Sequence, residues 1–203
     1  MILLTGGSGR LGTELQKLAA FDAPSHSEFD ITNCEIKKNY KLIVHAAAYT
    51  NVDKAETDTE ECFRVNVGGT ARLAGMYAST PFVYISSEHA HNPVNMYSAS
   101  KLAGEEVVRS HPRHLIIRTL FKQRPWLYDN AWTDQITRGD YTDVIAKLIM
   151  QEINEWDKST CKTVIVGTEE KSIYDLAKQT KPDVRPSSRL DHPGAAERPA
   201  TYA

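Results

Sequence analysis

The stretch Thr5-Gly6-Gly7-Ser8-Gly9-Arg10-Leu11-Gly12 decides how the rest of the sequence is read. It follows a short apolar, β-rich run, Met1 to Thr5, and leads into Arg10–Ala20, where Leu11, Leu15, Leu18 and Ala19 recur at helical spacing. Two glycine spacings overlap in it, Gly7-x-Gly9-x-x-Gly12 and Gly6-x-x-Gly9-x-x-Gly12. Both meet one physical need. One glycine makes a tight turn, one lets backbone amides approach a pyrophosphate, and one lets the helix pack on the strand. The helix N-terminus adds partial positive charge. A glycine pattern alone is weak, but a strand before it and an amphipathic helix after it are the context that a dinucleotide-binding turn demands. Gly6, Gly9, Arg10, Leu11 and Gly12 are therefore candidate cofactor-binding residues.

Outward from this loop, Lys41–His45, Pro81–Ser86, His114–Thr119 and Lys162–Gly167 read as further strands, with a weaker one in Phe21–Ser25. Helical patterns cover Glu60–Ala78, Tyr97–Ser110, Thr142–Trp156 and Ser172–Gln179. Strands separated by helices imply parallel pairing with crossovers on both faces, a doubly wound α/β plan whose ligands bind beyond the carboxyl ends of the strands. Pro182–Pro199 holds four of the nine prolines and reads as an extended tail across the surface.

Composition bounds the rest. The 203 residues carry 24 Lys+Arg against 26 Asp+Glu, a formal charge of −2, which gives no electrostatic footprint for gripping nucleic acid. No run approaches the length of a membrane span, and Met1-Ile2-Leu3-Leu4 reaches the glycines too soon for a secretory leader. Cys34, Cys62 and Cys161 are scattered without metal-ligand spacing. The expectation is a cytoplasmic protein with no metal site, no nucleic-acid partner and no membrane partner.

Tyr97-Ser98-Ala99-Ser100-Lys101 puts a phenol and an ammonium on one face of a helix. A neighbouring ammonium favours phenolate and is expected to lower the tyrosine pKa, which would make Tyr97 an acid/base for carbonyl–alcohol interconversion. Tyr174 and Lys178 share the spacing, but only Tyr97 opens a helix just after a strand ending in serines. Ser87 is the natural third member, donating to the substrate oxygen, with Ser86 as its competitor. After the second strand, where an acidic residue would bind a ribose 2′-hydroxyl, the chain offers Ser25 and His26, which tilts the expected cofactor towards NADPH over NADH.

Taken together, these residues resemble the extended short-chain dehydrogenase/reductases, and within them the dTDP-4-dehydrorhamnose reductase family. The resemblance runs through M-I-L-L-T-G-G-S-G-R-L-G-T-E-L (1–15), S-E-F-D-I-T-N (27–33), H-A-A-A-Y-T-N-V-D-K-A-E (45–56), V-N-V-G-G-T-A-R-L-A (65–74), Y-S-A-S-K-L-A-G-E (97–105) and A-A-E-R-P (195–199). It implies a Rossmann-like core over residues 1–120. A reduced substrate-binding portion over 121–203 would return one strand to the core sheet. It implies that Asp30 and Ile31 lie by the adenine and that Ala46, Ala47, Ala48 and Tyr49 line the cofactor. Ser87, Tyr97 and Lys101 would be the catalytic trio, with Tyr97 and Lys101 also binding the cofactor and Lys101 on the nicotinamide ribose. Ser87, Glu88 and Phe121 would meet the substrate, a nucleotide-linked 4-keto-6-deoxysugar reduced at C4, and a homodimer is possible. Only residues 88–96 separate Ser87 from Tyr97, a shorter substrate side than the family's. The alternatives are a non-catalytic NADP-binding regulatory or scaffold subunit, and a nucleotide-sugar epimerase or dehydratase.

Overall fold

The computed structural model describes residues 1–35, 38–191 and 196–201. Four strands, β1 (Ile2–Thr5), β2 (Leu42–His45), β3 (Phe82–Ser87) and β4 (His114–Thr119), pair in parallel in that order, and the Lys162–Ile165 strand joins beyond β4. The ladder runs Leu3 beside Ile43, Val44 beside Val83, and Ser87 beside Thr119. The weak strand expected in Phe21–Ser25 is a single parallel bridge, Leu3 to Asp22, on the far side of β1. Pro24, which has no N–H to give, stands just past it. The chain thus leaves β1 to one side at Asp22 and returns to the other at β2. The strand order reverses at β1, which is where such a sheet opens a crevice for ligands.

Alternation along the strands builds a core on each face. Leu4, Val44, Val83, Ile85, Leu115 and Ile117 pack against Leu11 and Leu15 of α1 (Arg10–Gln16), together with a helix contributed from the C-terminal half. Their neighbours Leu3, Ile43, Phe82, Tyr84 and Ile116 face the other way, against Leu73, Ala74 and Val108. The period of two in these strands and of 3.6 in the helices places every one of these side chains inside.

The helix expected at Glu60–Ala78 runs as α2 (Thr59–Phe63), a π-helical stretch Arg64–Gly69, and α3 (Thr70–Met76). α4 (Met96–Arg109) begins on a capping box in which the Asn95 side chain accepts from the Ser98 amide at 2.8 Å while Ser98 Oγ accepts from the Asn95 amide at 3.2 Å. α5 (Thr142–Glu155) lays Ile145, Ile149 and Ile153 on the first core. α6 (Ile173–Lys178) closes a small third cluster of Trp126, Ala131, Ile173, Ala177 and Val184. The proline-bearing tail is pinned in part: Arg185–Ser187 pairs in parallel with Asn130–Trp132, and Asn95 Nδ2 donates to the Glu197 carbonyl at 2.6 Å. Ala195, in the stretch that resembles the family's C-terminal signature, lies outside the described residues. No helix among the described residues is long and apolar enough to cross a membrane.

Candidate functional site

A cleft of about 1120 Å³ opens over the carboxyl ends of β1 to β4. Gly6, Gly9, Arg10, Leu11 and Gly12 form one side, and Ala46, Ala47 and Ala48 continue it from the end of β2. Two glycines are irreplaceable in this loop. Gly6 has φ +72°, and a Cβ there would lie 2.6 Å from the Ala47 nitrogen. A Cβ on Gly12 would overlap the Gly6 carbonyl oxygen and come within 2.7 Å of Gly7 Cα. The loop is compact because the Gly9 amide donates to the Gly6 carbonyl at 3.0 Å. We expect Gly12→Ala to part the loop from α1, with the cost of about 1–3 kcal/mol typical of overpacking. A lowered unfolding midpoint and at least tenfold weaker dinucleotide binding would register it.

The opposite wall carries the trio. Ser87, Tyr97 and Lys101 all line the same cleft as the glycine loop. Ser87 Oγ accepts from the His89 amide at 3.2 Å, which leaves its own proton to give. The competitor Ser86 is committed elsewhere: its hydroxyl donates to Glu105 Oε1 at 2.6 Å. Lys101 Nζ donates to the Ile85 carbonyl at 2.8 Å and lies 4.1 Å from the centre of the Tyr84 ring.

The expected lowering of the Tyr97 pKa does not occur. Burial, helped by the nearby Cys62 thiol, pushes the phenol up to about 12. The same burial brings the Lys101 ammonium down to about 7, so the cation meant to acidify Tyr97 is itself only partly charged at neutral pH. A phenol in this state keeps its proton at neutral pH, the form required of a donor in ketone reduction.

Asn66, in the π-helical stretch, ties the two walls together. Its Oδ1 accepts from the Tyr49 amide at 2.8 Å, and its Nδ2 donates to the Tyr49 carbonyl at 3.1 Å and to Ser100 Oγ at 2.9 Å. One buried amide thereby fixes the loop after β2 against the helix of Tyr97 and Lys101. His45, beneath that loop, is held between the hydroxyls of Thr5 (2.7 Å) and Thr70 (3.0 Å), and burial brings its pKa down to about 3.

Several expected residues lie elsewhere. Ser25 is exposed outside the cleft and donates to Glu28 Oε2 at 2.7 Å, while His26 sits 3.9 Å from Asp30 Oδ2. Each of the two thus stands beside a carboxylate. Asp30 is taken up by the amide and hydroxyl of Thr32, both at 2.9 Å. Ile31 is buried in the second core beneath Gly69. Tyr49 turns its hydroxyl to Asp58 Oδ2 at 3.2 Å and does not line the cleft. Glu88 is also outside it, buried, accepting from Thr137 Oγ1 at 2.6 Å. Phe121 does line the cleft.

Burial pushes the Glu88 carboxyl up to about 7. A carboxyl whose folded pKa exceeds its unfolded value of about 4.3 adds stability below that value, and this is lost as pH rises through about 7. Glu88→Gln keeps the oxygen that Thr137 needs. We expect it to match the parent's unfolding midpoint below pH 4 and to exceed it increasingly between pH 5 and 8. Parallel melting curves over that range would show no divergence if Glu88 were ionised throughout.

Three cleft residues carry no role in the sequence reading. Thr119, at the end of β4 beside Ser87, has a buried hydroxyl oxygen with no hydrogen-bond partner among the described residues. Its place at a strand's carboxyl end was the available signal. Lys122 and Arg198 add two cations to the lining. Lys122 directly follows the apolar Leu120-Phe121, and a single Lys there has no pattern to single it out.

Comparison with known proteins agrees with this geometry. The family model of the RmlD substrate binding domain matches residues 1–154. The dTDP-4-dehydrorhamnose reductase of Aggregatibacter actinomycetemcomitans is 33% identical over 147 residues, 58% of this chain and 50% of that protein. The enzyme of the same name from Mycolicibacterium smegmatis is 29% identical over 174 residues, 72% of this chain and 49% of its own. The chain thus spans about half the length of the curated relatives it matches. Among solved structures, the Bacillus anthracis dTDP-4-dehydrorhamnose reductase in complex with NADP superposes with a TM-score of 0.82 at 25% identity, covering 100% of this chain and 88% of that one. The Clostridium acetobutylicum dTDP-4-dehydrorhamnose reductase gives a TM-score of 0.87 at 24% identity, over 99% and 88% of the two chains. The family model covers well over half of the chain, including the glycine loop and the helix of Tyr97 and Lys101, and the chain belongs to the RmlD substrate binding domain family.

Proposed function

We propose that the chain is an NADPH-dependent reductase of a nucleotide-linked 4-keto-6-deoxysugar. One observation carries the reading: a strand-end serine and a tyrosine–lysine pair share a single cleft with a glycine loop that tolerates no Cβ at Gly6 or Gly12. The names of the relatives supply the substrate class, and the NADP complex of the Bacillus anthracis relative supplies the cofactor.

The residues fit such a cofactor. The glycine loop packs backbone on backbone at Gly6 and Gly12, the tight turn at a helix start that offers amides to a pyrophosphate, and Arg10 lines the cleft beside it. NADPH held there supplies the hydride for the C4 carbonyl carbon. Tyr97 gives its phenolic proton to the carbonyl oxygen as that oxygen becomes a hydroxyl. Ser87, whose oxygen already accepts from the His89 amide, donates its proton in a hydrogen bond to the same oxygen and stabilises the charge developing on it. Lys101, held on the Ile85 carbonyl, holds the nicotinamide ribose and, when protonated, stabilises the phenolate left on Tyr97. Half of its charge is lost at about pH 7.

The reaction can be traced with deuteride-labelled NADPH and dTDP-4-keto-6-deoxysugar. Deuterium at C4 of the product is the expected result. Tight NADPH binding without transfer to any of a panel of keto-sugar nucleotides would replace the reductase by a non-catalytic cofactor-binding subunit.

A further inference from the structure

Residues 196–200 of the tail are tied to the rest of the fold one after another. The Ala196 amide donates to Asp53 Oδ1 at 3.0 Å, and Arg198 Nη2 donates to the same oxygen at 2.9 Å. The Glu197 carbonyl accepts from Asn95 Nδ2 at 2.6 Å. The Pro199 carbonyl accepts from Gln135 Nε2 at 3.1 Å, and the Ala200 carbonyl from the Ile136 amide at 2.8 Å. Asp53, Gln135 and Arg198 line the cleft, and Asn95 stands two residues before Tyr97. The tail thus joins the loop after β2 to the first turn of α4 and to Gln135 and Ile136 in the C-terminal half.

Asn95 is where the tail meets the helix of Tyr97. It is buried, and both ends of its side-chain amide are used. Oδ1 caps α4 by accepting from the Ser98 amide at 2.8 Å, while Nδ2 holds the Glu197 carbonyl. Capping asks only for the acceptor, and Asp or Ser caps a helix about as well as Asn. What Asn adds is an amide donor beside the acceptor, and the tail uses it. The next amide, that of Met96, donates to Glu56 Oε1 at 2.8 Å, so the same turn is gripped from the short helix that follows Asp53. A helix end left to itself frays. This one is clamped where the phenol leaves it, and a displacement of about 1 Å at a reacting group costs on the order of 10²-fold in rate.

Building on the reductase reading, we propose that Asn95 is a positioning residue for Tyr97: its Nδ2, set against the Glu197 carbonyl, holds the first turn of α4 so that the phenol meets the substrate oxygen. Neither Asn95 nor Glu197 lines the cleft, so the effect is exerted through Tyr97 and not on a ligand. The abutment is firm because Glu197 lies between anchored neighbours, Ala196 and Arg198 on Asp53 and Pro199 on Gln135. The C-terminal tail thereby belongs to the geometry of the proton donor.

Asn95→Ser and Asn95→Asp in the full chain test this. Both keep a capping oxygen and lose the amide donor, the first without charge and the second with an acceptor set against the Glu197 carbonyl. Each should keep the unfolding midpoint within about 3 °C of the parent and NADPH affinity, by calorimetric titration, within about twofold. Turnover of the keto-sugar nucleotide should show kcat lowered about tenfold or more with KM changed less than about threefold, the split of misplaced chemistry and not of lost binding. Amide exchange followed by mass spectrometry should quicken over residues 196–200 and over the first turn of α4. Parental kcat in both variants, or exchange equal to the parent's, overturns the proposal. So does NADPH affinity that falls as far as kcat, which would assign Asn95 to holding the cofactor loop. A parent that reduces no keto-sugar nucleotide refutes the reductase reading and the positioning role with it, whereas an active parent with equally active variants refutes the positioning role alone.

Discussion

Tyr97→Phe is expected to lower turnover of the keto-sugar nucleotide by about 10²–10⁴-fold, the range for removal of a positioned general acid. NADPH affinity stays within about twofold of the parent, because the substitution deletes a proton donor and no contact that holds the loop or the helix. The Tyr97 hydroxyl has no hydrogen-bond partner among the described residues, and α4 is held by its Asn95–Ser98 capping box. The unfolding midpoint should therefore hardly move. The pH profile separates this role from a packing role. With the phenol near 12 and the Lys101 ammonium near 7, activity in the reduction direction is expected to be highest on the acid side of neutrality. It should decline as pH rises through about 7, following loss of the Lys101 charge. A Phe variant that keeps more than a tenth of parental turnover would remove Tyr97 from the chemistry.

Glu105→Ala has the largest expected effect on stability. Glu105 is fully buried behind the site, where it accepts from Ser86 Oγ at 2.6 Å, Arg118 Nε at 2.9 Å and Arg118 Nη2 at 2.7 Å, with Arg109 Nη2 at 3.3 Å. Removing the carboxylate strands the Arg118 guanidinium in a site only 13% exposed. Breaking a buried pair from one side costs about 3–5 kcal/mol, which for a chain of this size lowers the melting midpoint by about 6–20 °C. It also frees the hydroxyl of Ser86, next to Ser87, so a loss of turnover beyond the loss of folded protein is expected. Calorimetry on Glu105→Ala and Glu105→Gln would check it. A midpoint within two degrees of the parent for the alanine variant would mean that water repairs the network.

The sheet was legible because its strands are short apolar runs cut by glycine, proline and charged loops. His114–Thr119 forms as expected to the residue, and Pro81–Ser86 is displaced by one position to Phe82–Ser87. The π-helical stretch left no trace in periodicity, since one extra residue per turn is invisible against a 3.6 pattern six residues long. Spacing and order singled out Ser87, Tyr97, Lys101 and the glycine loop, which the fold gathers along one cleft. They gave the wrong direction for the Tyr97 pKa, because a charge neighbour four residues away can be read from a sequence and desolvation cannot. Ser25 and His26 lie outside the cleft lining, each beside a carboxylate that their spacing did not single out. Their own neighbours, Glu28 and Asp30, take them up locally before any ligand arrives. Lys122 and Arg198 reach the cleft lining from distant parts of the chain, by tertiary packing alone.

The decisive measurement is the absorbance of reduced nicotinamide after mixing the protein with NADPH and dTDP-4-keto-6-deoxysugar. The account predicts catalytic decay of that band, one equivalent for each sugar reduced, and none when Tyr97 is Phe. A stable signal with cofactor demonstrably bound, or equal decay in the Tyr97→Phe protein, would contradict it.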